Sequence, residues 1–117
     1  MKKITRDRIA AMNIQYKYYP LARFLDDAVR SGLACVELWG AAPHLLPEDA
    51  TYAEVRAVRR AVETRGLKLV CYTPEQCVYP VNLAAPSEAE RRRSLKFFED
   101  SLRIAADLGA DKMLVTS

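Results

Sequence analysis

The sequence is poor in the residues that most often announce a chemistry. It holds one histidine, His44, one tryptophan, Trp39, and four glycines among 117 residues. Three of the glycines, Gly32, Gly66 and Gly109, follow apolar helical patterns and end them, whereas a phosphate cradle needs a run of glycines where a strand enters a helix, so no phosphate-binding loop is indicated. Three cysteines cannot all pair with one another, and Cys35, Cys71 and Cys77 show neither a CxxC nor a Cys-His zinc spacing. Cys35 and Cys71 read as small buried strand residues, which leaves Cys77, in a loop, as the one thiol placed to react. No apolar stretch approaches the roughly 20 residues of a membrane span, and the opening MKKITRDRIAAMNIQ lacks the apolar core of a signal peptide. A cytoplasmic chain with no membrane partner is expected. The net charge of +3 is too small to indicate a nucleic-acid partner. Arg91, Arg92 and Arg93 stand beside Glu88 and Glu90 in the first turns of a helix and read as a solvated charged face.

What is present is a globular balance, with 50% apolar and 28% charged residues. The length suits one domain over residues 1–117, large enough to bury about two-thirds of its unfolded surface. Two periods alternate along it. In PLARFLDDAVRSG the residues Leu21, Leu25, Ala28 and Val29 share a helical face, between Pro20 at the start and Gly32 at the stop. The strand ACVELWG follows. Thr51 and Glu54 form a capping box before a helix that carries Val55, Val58 and Val62 to Gly66, and the strand KLVCYT comes next. Ser87 and Glu90 repeat the device, and Leu95, Phe98, Leu102 and Ala105 mark the expected buried side of a third helix ending at Gly109. KMLVTS closes the chain as a strand, and AAMNIQY opens it as one.

The order βαβαβαβ predicts an α/β fold with four parallel strands and three helices. Four strands and three helices amount to the first half of a (β/α)8 barrel, which needs about 250 residues. A small complete doubly wound sheet is the rival, since the same order permits it. Strand polarity favours the barrel. Val36 and Leu38 alternate with Glu37 and Trp39, and Met12 and Ile14 alternate with Asn13 and Gln15, so one sheet face reads as apolar and the other as mixed polar, aimed away from the helices. Glu37 is then either a buried hydrogen-bonded strut or a pocket residue.

In a barrel the loops that leave the C-terminal strand ends form the active face. Here those loops are WGAAPHLLPED and YTPEQCVYPVN, rich in rings, carboxylates, amides and stiffening prolines, while the helix-to-strand joints are short and plain. Residues 32–44, Gly-Leu-Ala-Cys-Val-Glu-Leu-Trp-Gly-Ala-Ala-Pro-His, with Tyr72-Thr73-Pro74-Glu75, Tyr79-Pro80 and Asn82, resemble the sugar isomerase/epimerase family built on the xylose-isomerase-like barrel. Within it the fructoselysine 3-epimerase branch is similar in its WGxxPH and YTPExxxYPxN patterns.

The resemblance implies an aldose-ketose isomerase or ketose epimerase in which paired glutamates move a proton next to a carbonyl through an enediolate. It also implies a divalent metal (Mn, Mg, Co or Zn) that stabilises the anion. The family's metal ligands and catalytic glutamates come from later strands, so none is expected in this chain, and residues 1–117 alone are expected to be inactive. By resemblance Trp39, His44, Tyr72, Glu75 and Asn82 line the mouth of a site for a sugar or sugar derivative. Several residues of these loops have a plainer role. Trp39 could plug the barrel top, His44 could brace its loop, Asn82 could cap a turn, and Tyr79 and Pro80 could hold the loop's shape. A second class of function also fits: a small α/β binding protein, self-contained or self-associating through an open barrel face.

Overall fold

The computed structural model describes residues 3–78 and 80–116, so Tyr79, expected to shape its loop, lies outside the described residues. A short 3-10 turn, Arg6–Arg8, leads into strand β1 (Ala10–Met12), a second 3-10 turn over Asn13–Tyr16, helix α1 (Leu21–Arg30) and strand β2 (Cys35–Gly40). Helix α2 (Tyr52–Glu63), strand β3 (Lys68–Pro74) and helix α3 (Glu88–Leu108) complete the order. The strands form one parallel sheet in the order β1-β2-β3.

Each helix stops at the same joint. Gly32, Gly66 and Gly109 all take a left-handed φ near +70°, which a side chain would strain, and the chain then turns back toward the sheet. Thr51 and Glu54 make the reciprocal capping box, with Thr51 N–H donating to Glu54 Oε2 at 2.8 Å. Ser87 accepts only the Glu90 amide. Among the described residues no helix is long and apolar enough to cross a membrane.

The core decides between the two architectures. Phe24, Leu25 and Ala28 of α1, Val55 and Val62 of α2, and Ile104, Ala105 and Leu108 of α3 form one buried cluster with Val36, Leu38, Leu69 and Tyr72 of the sheet. All three helices therefore cover the same sheet face. A doubly wound sheet would divide them between two faces; a barrel wall carries them all outside and leaves the other face to the lumen. The open face here presents Glu37 and Trp39 of β2 and Cys71 of β3, all partly exposed, with Thr73 of β3 buried among them.

Two helical faces differ from the sequence pattern. In α1 Phe24 is buried and Val29 exposed. In α3 Leu95 and Leu102 are more than half exposed, and the buried stripe runs Ser94, Phe97, Phe98, Ser101, Ile104, Ala105, Leu108. The serines can be buried because each hydroxyl donates to the carbonyl four residues back, Glu90 and Phe97, at 2.7 Å. A hydrophobicity pattern counts those positions as polar and rotates the helix.

Both ends of the sheet also depart from expectation, and for related reasons. The first strand stops at Met12, where the side-chain amide of Asn13 takes over the pairing: Oδ1 accepts the Trp39 amide at 2.6 Å and Nδ2 donates to the Trp39 carbonyl at 3.2 Å. Asn13 is fully buried within the sheet rather than aimed at the open face, whereas Met12 and Ile14 line that face. The expected fourth strand is reduced to one parallel bridge, Tyr72 to Met113, with Tyr72 N–H donating to Lys112 O and Leu114 N–H to Tyr72 O. The next ladder donor on β3 would be the nitrogen of Pro74, which has no hydrogen. The Gln76 side chain fills in: Nε2 donates to Leu114 O at 3.2 Å and to Pro74 O at 3.1 Å, and Oε1 accepts the Thr116 amide at 2.7 Å. The segment therefore lies where a fourth strand would lie, held there by a side chain instead of a ladder.

Candidate functional site

The two long loops leave the same edge of the sheet, residues 41–51 after β2 and residues 75–87 after β3. Between them, on the open face, lies a shallow depression of about 160 Å³ lined by Met12, Ile14, Trp39, Glu75, Cys77 and Leu114, among others. It is smaller than the pockets that enclose small ligands, which run from about 300 Å³ upward, so it has the size of one wall of such a pocket.

Trp39 and Glu75 are brought together there. The Trp39 indole N–H donates to Glu75 Oε2 at 2.8 Å. The other carboxylate oxygen, Oε1, accepts the Cys77 amide at 2.7 Å and the Val78 amide at 3.1 Å, and the Glu75 amide itself donates to Gly40 O at 3.0 Å. Glu75 thus ties the end of β2, the indole and its own loop into one unit. Burial pushes the Glu75 carboxyl up, but the hydrogen bonds from the Cys77 amide, the Trp39 indole and the Val78 and Gln76 amides outweigh it and hold the group below the usual glutamate range.

Deeper on the same face, in the row Met12, Glu37, Cys71, the Glu37 side chain is half-buried. Its Oε1 accepts the Thr73 hydroxyl at 2.5 Å, and Thr73 Oγ1 lies 3.7 Å from Cys71 Sγ. Cys71 is therefore a partly exposed open-face residue rather than the buried strand cysteine expected, while Cys35 is buried and Cys77 exposed.

Three of the expected mouth residues are committed elsewhere. Tyr72 is wholly buried on the helix side of the sheet, in the core cluster, with its hydroxyl donating to Leu45 O at 3.3 Å. It sits on the opposite face from Thr73 because successive strand residues alternate, so the YTPE motif sends its tyrosine to the core and its threonine to the open face. Burial, with a smaller contribution from the Glu48 charge, pushes the Tyr72 phenol well up. His44 braces loops: its Nδ1 accepts from Asn13 Nδ2 at 2.7 Å and its Nε2–H donates to Tyr19 O at 2.8 Å, which uses both ring nitrogens. Asn82 makes a turn, its Oδ1 accepting the Ala84 amide at 2.9 Å while its own amide donates to Ser94 Oγ. Gly40 is what lets Tyr72 pass, since a Cβ there would meet Tyr72 Oη at 2.3 Å. The loop after β2 also contains a cis Ala42–Pro43 bond.

The sequence pattern did not single out Thr73 or Gln76. Their signal was periodicity: Thr73 follows Cys71 by two on a strand, and Gln76 follows a proline that removes a ladder donor. For the implied metal, the residues present do not fit. Among the described residues no three of His, Cys, Asp and Glu converge, and the His44 nitrogens and Glu75 oxygens already have partners.

Comparison with known proteins agrees with the architecture. The xylose isomerase-like TIM barrel family matches residues 25–117. The fructoselysine 3-epimerases of Escherichia coli O157:H7 and Shigella flexneri are each 26% identical to this chain over 98 residues. The match covers 84% of this chain and 36% of theirs, so the chain spans about a third of the length of these curated relatives. A xylose isomerase domain-containing protein of Salmonella typhimurium LT2 superposes with a TM-score of 0.67 at 24% identity, over 94% of this chain and 36% of that one. That likeness bears on the fold. A parallel sheet with every helix on one face, and a family match over most of its length, place the chain in the xylose isomerase-like TIM barrel family.

Proposed function

We propose that this chain forms part of a sugar isomerase or epimerase of the ketose 3-epimerase type, and that residues 1–117 supply a wall of the sugar site rather than its reacting groups. The chemistry in this reading is proton transfer beside the carbonyl of an open-chain sugar through an enediolate, in a cytoplasmic setting. The divalent metal such enzymes employ (Mn, Mg, Co or Zn) would be held by residues outside positions 1–117. Family membership and the fructoselysine 3-epimerase relatives support the reading. The observation that carries it is the Trp39–Glu75 unit at the C-terminal edge of the sheet, a rigid ring held edge-on by a carboxylate and facing the lumen side. An aromatic plane packs against the C–H face of a sugar, and a ring locked by a hydrogen bond loses little freedom when it does so.

Trp39 is the only tryptophan, so its fluorescence reports this wall alone. Titration of the chain with fructoselysine should give a saturable change in emission. In D2O the chain alone should introduce no deuterium next to the sugar carbonyl. Emission indifferent to every ketose tried would sink the sugar-site reading, and exchange catalysed by the pure chain would overturn the division of labour.

A self-associating α/β protein is the second reading, favoured by the exposure of Ile14, Leu114 and Val115 on and beside the open face. A concentration-dependent mass by light scattering, with no fluorescence response to sugars, would select it.

A further inference from the structure

Two carboxylates stand on the open face, and their hydrogen bonding divides the labour between them. Glu75 spends both oxygens on the protein, one on the Trp39 indole and one on the Cys77 and Val78 amides. Glu37 spends one: Oε1 accepts from Thr73, and among the described residues Oε2 accepts no hydrogen bond. That second oxygen is not sealed in the interior, since among the described residues no buried side-chain oxygen lacks a partner. It therefore keeps some contact with solvent, and strand alternation puts the Glu37 side chain on the open face with those of Trp39 and Thr73.

We propose that Glu37 is the carboxylate that receives the ligand, its Oε2 accepting a hydrogen bond from a hydroxyl of an open-chain polyol or ketose lying along Trp39, while Glu75 holds the Trp39 ring and does not touch the ligand. The inference rests on the sugar-site reading given above. Thr73 is a positioning residue: it fixes Glu37 from β3 through its hydroxyl, which in turn stands within reach of the Cys71 thiol. A carboxylate with one oxygen tethered and one free has few rotamers left to lose on binding. Hydrogen bonds to such a group are also stronger than those between neutral partners. Glu37 lies two residues below Trp39 on β2, about 6.6 Å at strand spacing, a span that an extended chain of several hydroxylated carbons covers.

The test is a Trp39 fluorescence titration with fructoselysine and with monodeoxy ketoses, on the wild-type chain and on Glu37→Gln, Thr73→Val, Thr73→Ser and Glu75→Gln. Glu37→Gln should weaken binding roughly tenfold, as loss of a charge-assisted hydrogen bond does. One deoxy sugar should lose a similar factor with the wild-type chain and almost nothing further with Glu37→Gln, a non-additivity that a merely structural role for Glu37 would not produce. Thr73→Val should weaken binding and Thr73→Ser restore it. Glu75→Gln should alter the ligand-free emission and leave the deoxy-sugar pattern intact. The deoxy series on the wild-type chain needs no variant to fold. Equal affinity for every deoxy sugar, or a Glu37→Gln titration matching wild type, overturns the assignment while the sugar-site reading stands. A wild-type chain that answers to no sugar overturns both.

Discussion

Gln76 repairs what Pro74 removes. The proline takes an N–H donor from the outer edge of β3, and two residues on the Gln76 amide reaches back to Pro74 O at 3.1 Å and across to Leu114 O at 3.2 Å, while its oxygen takes the Thr116 amide. Among the described residues, 112–116 are hydrogen-bonded to the sheet through two backbone bonds at Tyr72 and this one side chain, and Met113 packs against the core.

Gln76→Ala should therefore free the end of the chain without unfolding the sheet. Amide hydrogen exchange at Thr116 should accelerate most. The loss of global stability should be about 1 kcal/mol in urea denaturation, since Leu114 and Thr116 are exposed and water can replace the lost partner there. Gln76→Glu separates the two halves of the strap: its oxygen still accepts from Thr116, but it cannot donate to Leu114 O or Pro74 O. Unchanged exchange at Thr116 in the alanine variant would mean that the two bonds at Tyr72 suffice.

The pairing of Trp39 with Glu75 makes emission a reporter of the Glu75 charge. The carboxyl is held below its ordinary value in the folded chain, so its contribution to stability is complete above the unfolded value, about 4.5, and is lost as pH falls through the folded value. An acid titration should show a Trp39 emission change with its midpoint below the ordinary glutamate range, and Glu75→Gln should abolish that step. A midpoint above the range would mean that burial outweighs the hydrogen bonds.

Much of the fold could be read along the sequence because it rests on local physics. Three helix-ending glycines, a Thr51 cap and strand alternation at Val36 and Leu38 each act within a few residues, and each stands as expected. The sites of disagreement are those where a side chain does a backbone's work. Asn13 pairs with Trp39 through its amide, and Gln76 bridges a proline; both read in sequence as ordinary polar residues. The same holds for the site. Trp39 at the end of β2 and Glu75 just after β3 come together at the strand ends where the sequence put its two rich loops, but Tyr72 belongs to the core because a one-residue step along a strand reverses the face, and His44 is consumed by partners 31 and 25 residues away. Long-range hydrogen bonds of this kind leave no periodic trace.

Asn13 offers a direct check of that view. It is fully buried and serves both main-chain groups of Trp39 as well as His44 Nδ1. Asn13→Ala should cost about 3 kcal/mol, by orphaning an amide and a carbonyl inside the sheet and leaving a small void. Asn13→Asp keeps the acceptor for Trp39 N–H but loses the donor to Trp39 O and His44, so it should also destabilise, and the single-tryptophan emission should shift in both variants. Near-wild-type urea midpoints would mean that water replaces the amide at no cost.

Gly40 and Tyr72 test the packing behind the site. They sit on neighbouring strands, and a Cβ on Gly40 would lie 2.3 Å from Tyr72 Oη and 2.6 Å from Cε2 and Cζ. These distances are far inside contact, and the ring cannot retreat because it is wholly enclosed. Gly40→Ala should cost about 1–3 kcal/mol through overpacking. Tyr72→Phe alone should cost about 1 kcal/mol by leaving Leu45 O without its donor. In Tyr72→Phe the worst clash is gone and the two ring-carbon clashes remain, so the double variant should be more stable than the sum of the single losses implies, yet less stable than Tyr72→Phe. Strict additivity in that cycle would mean that the added methyl is accommodated by a shift of β2 away from β3, and the indole of Trp39, one residue along, should then report the movement in its emission.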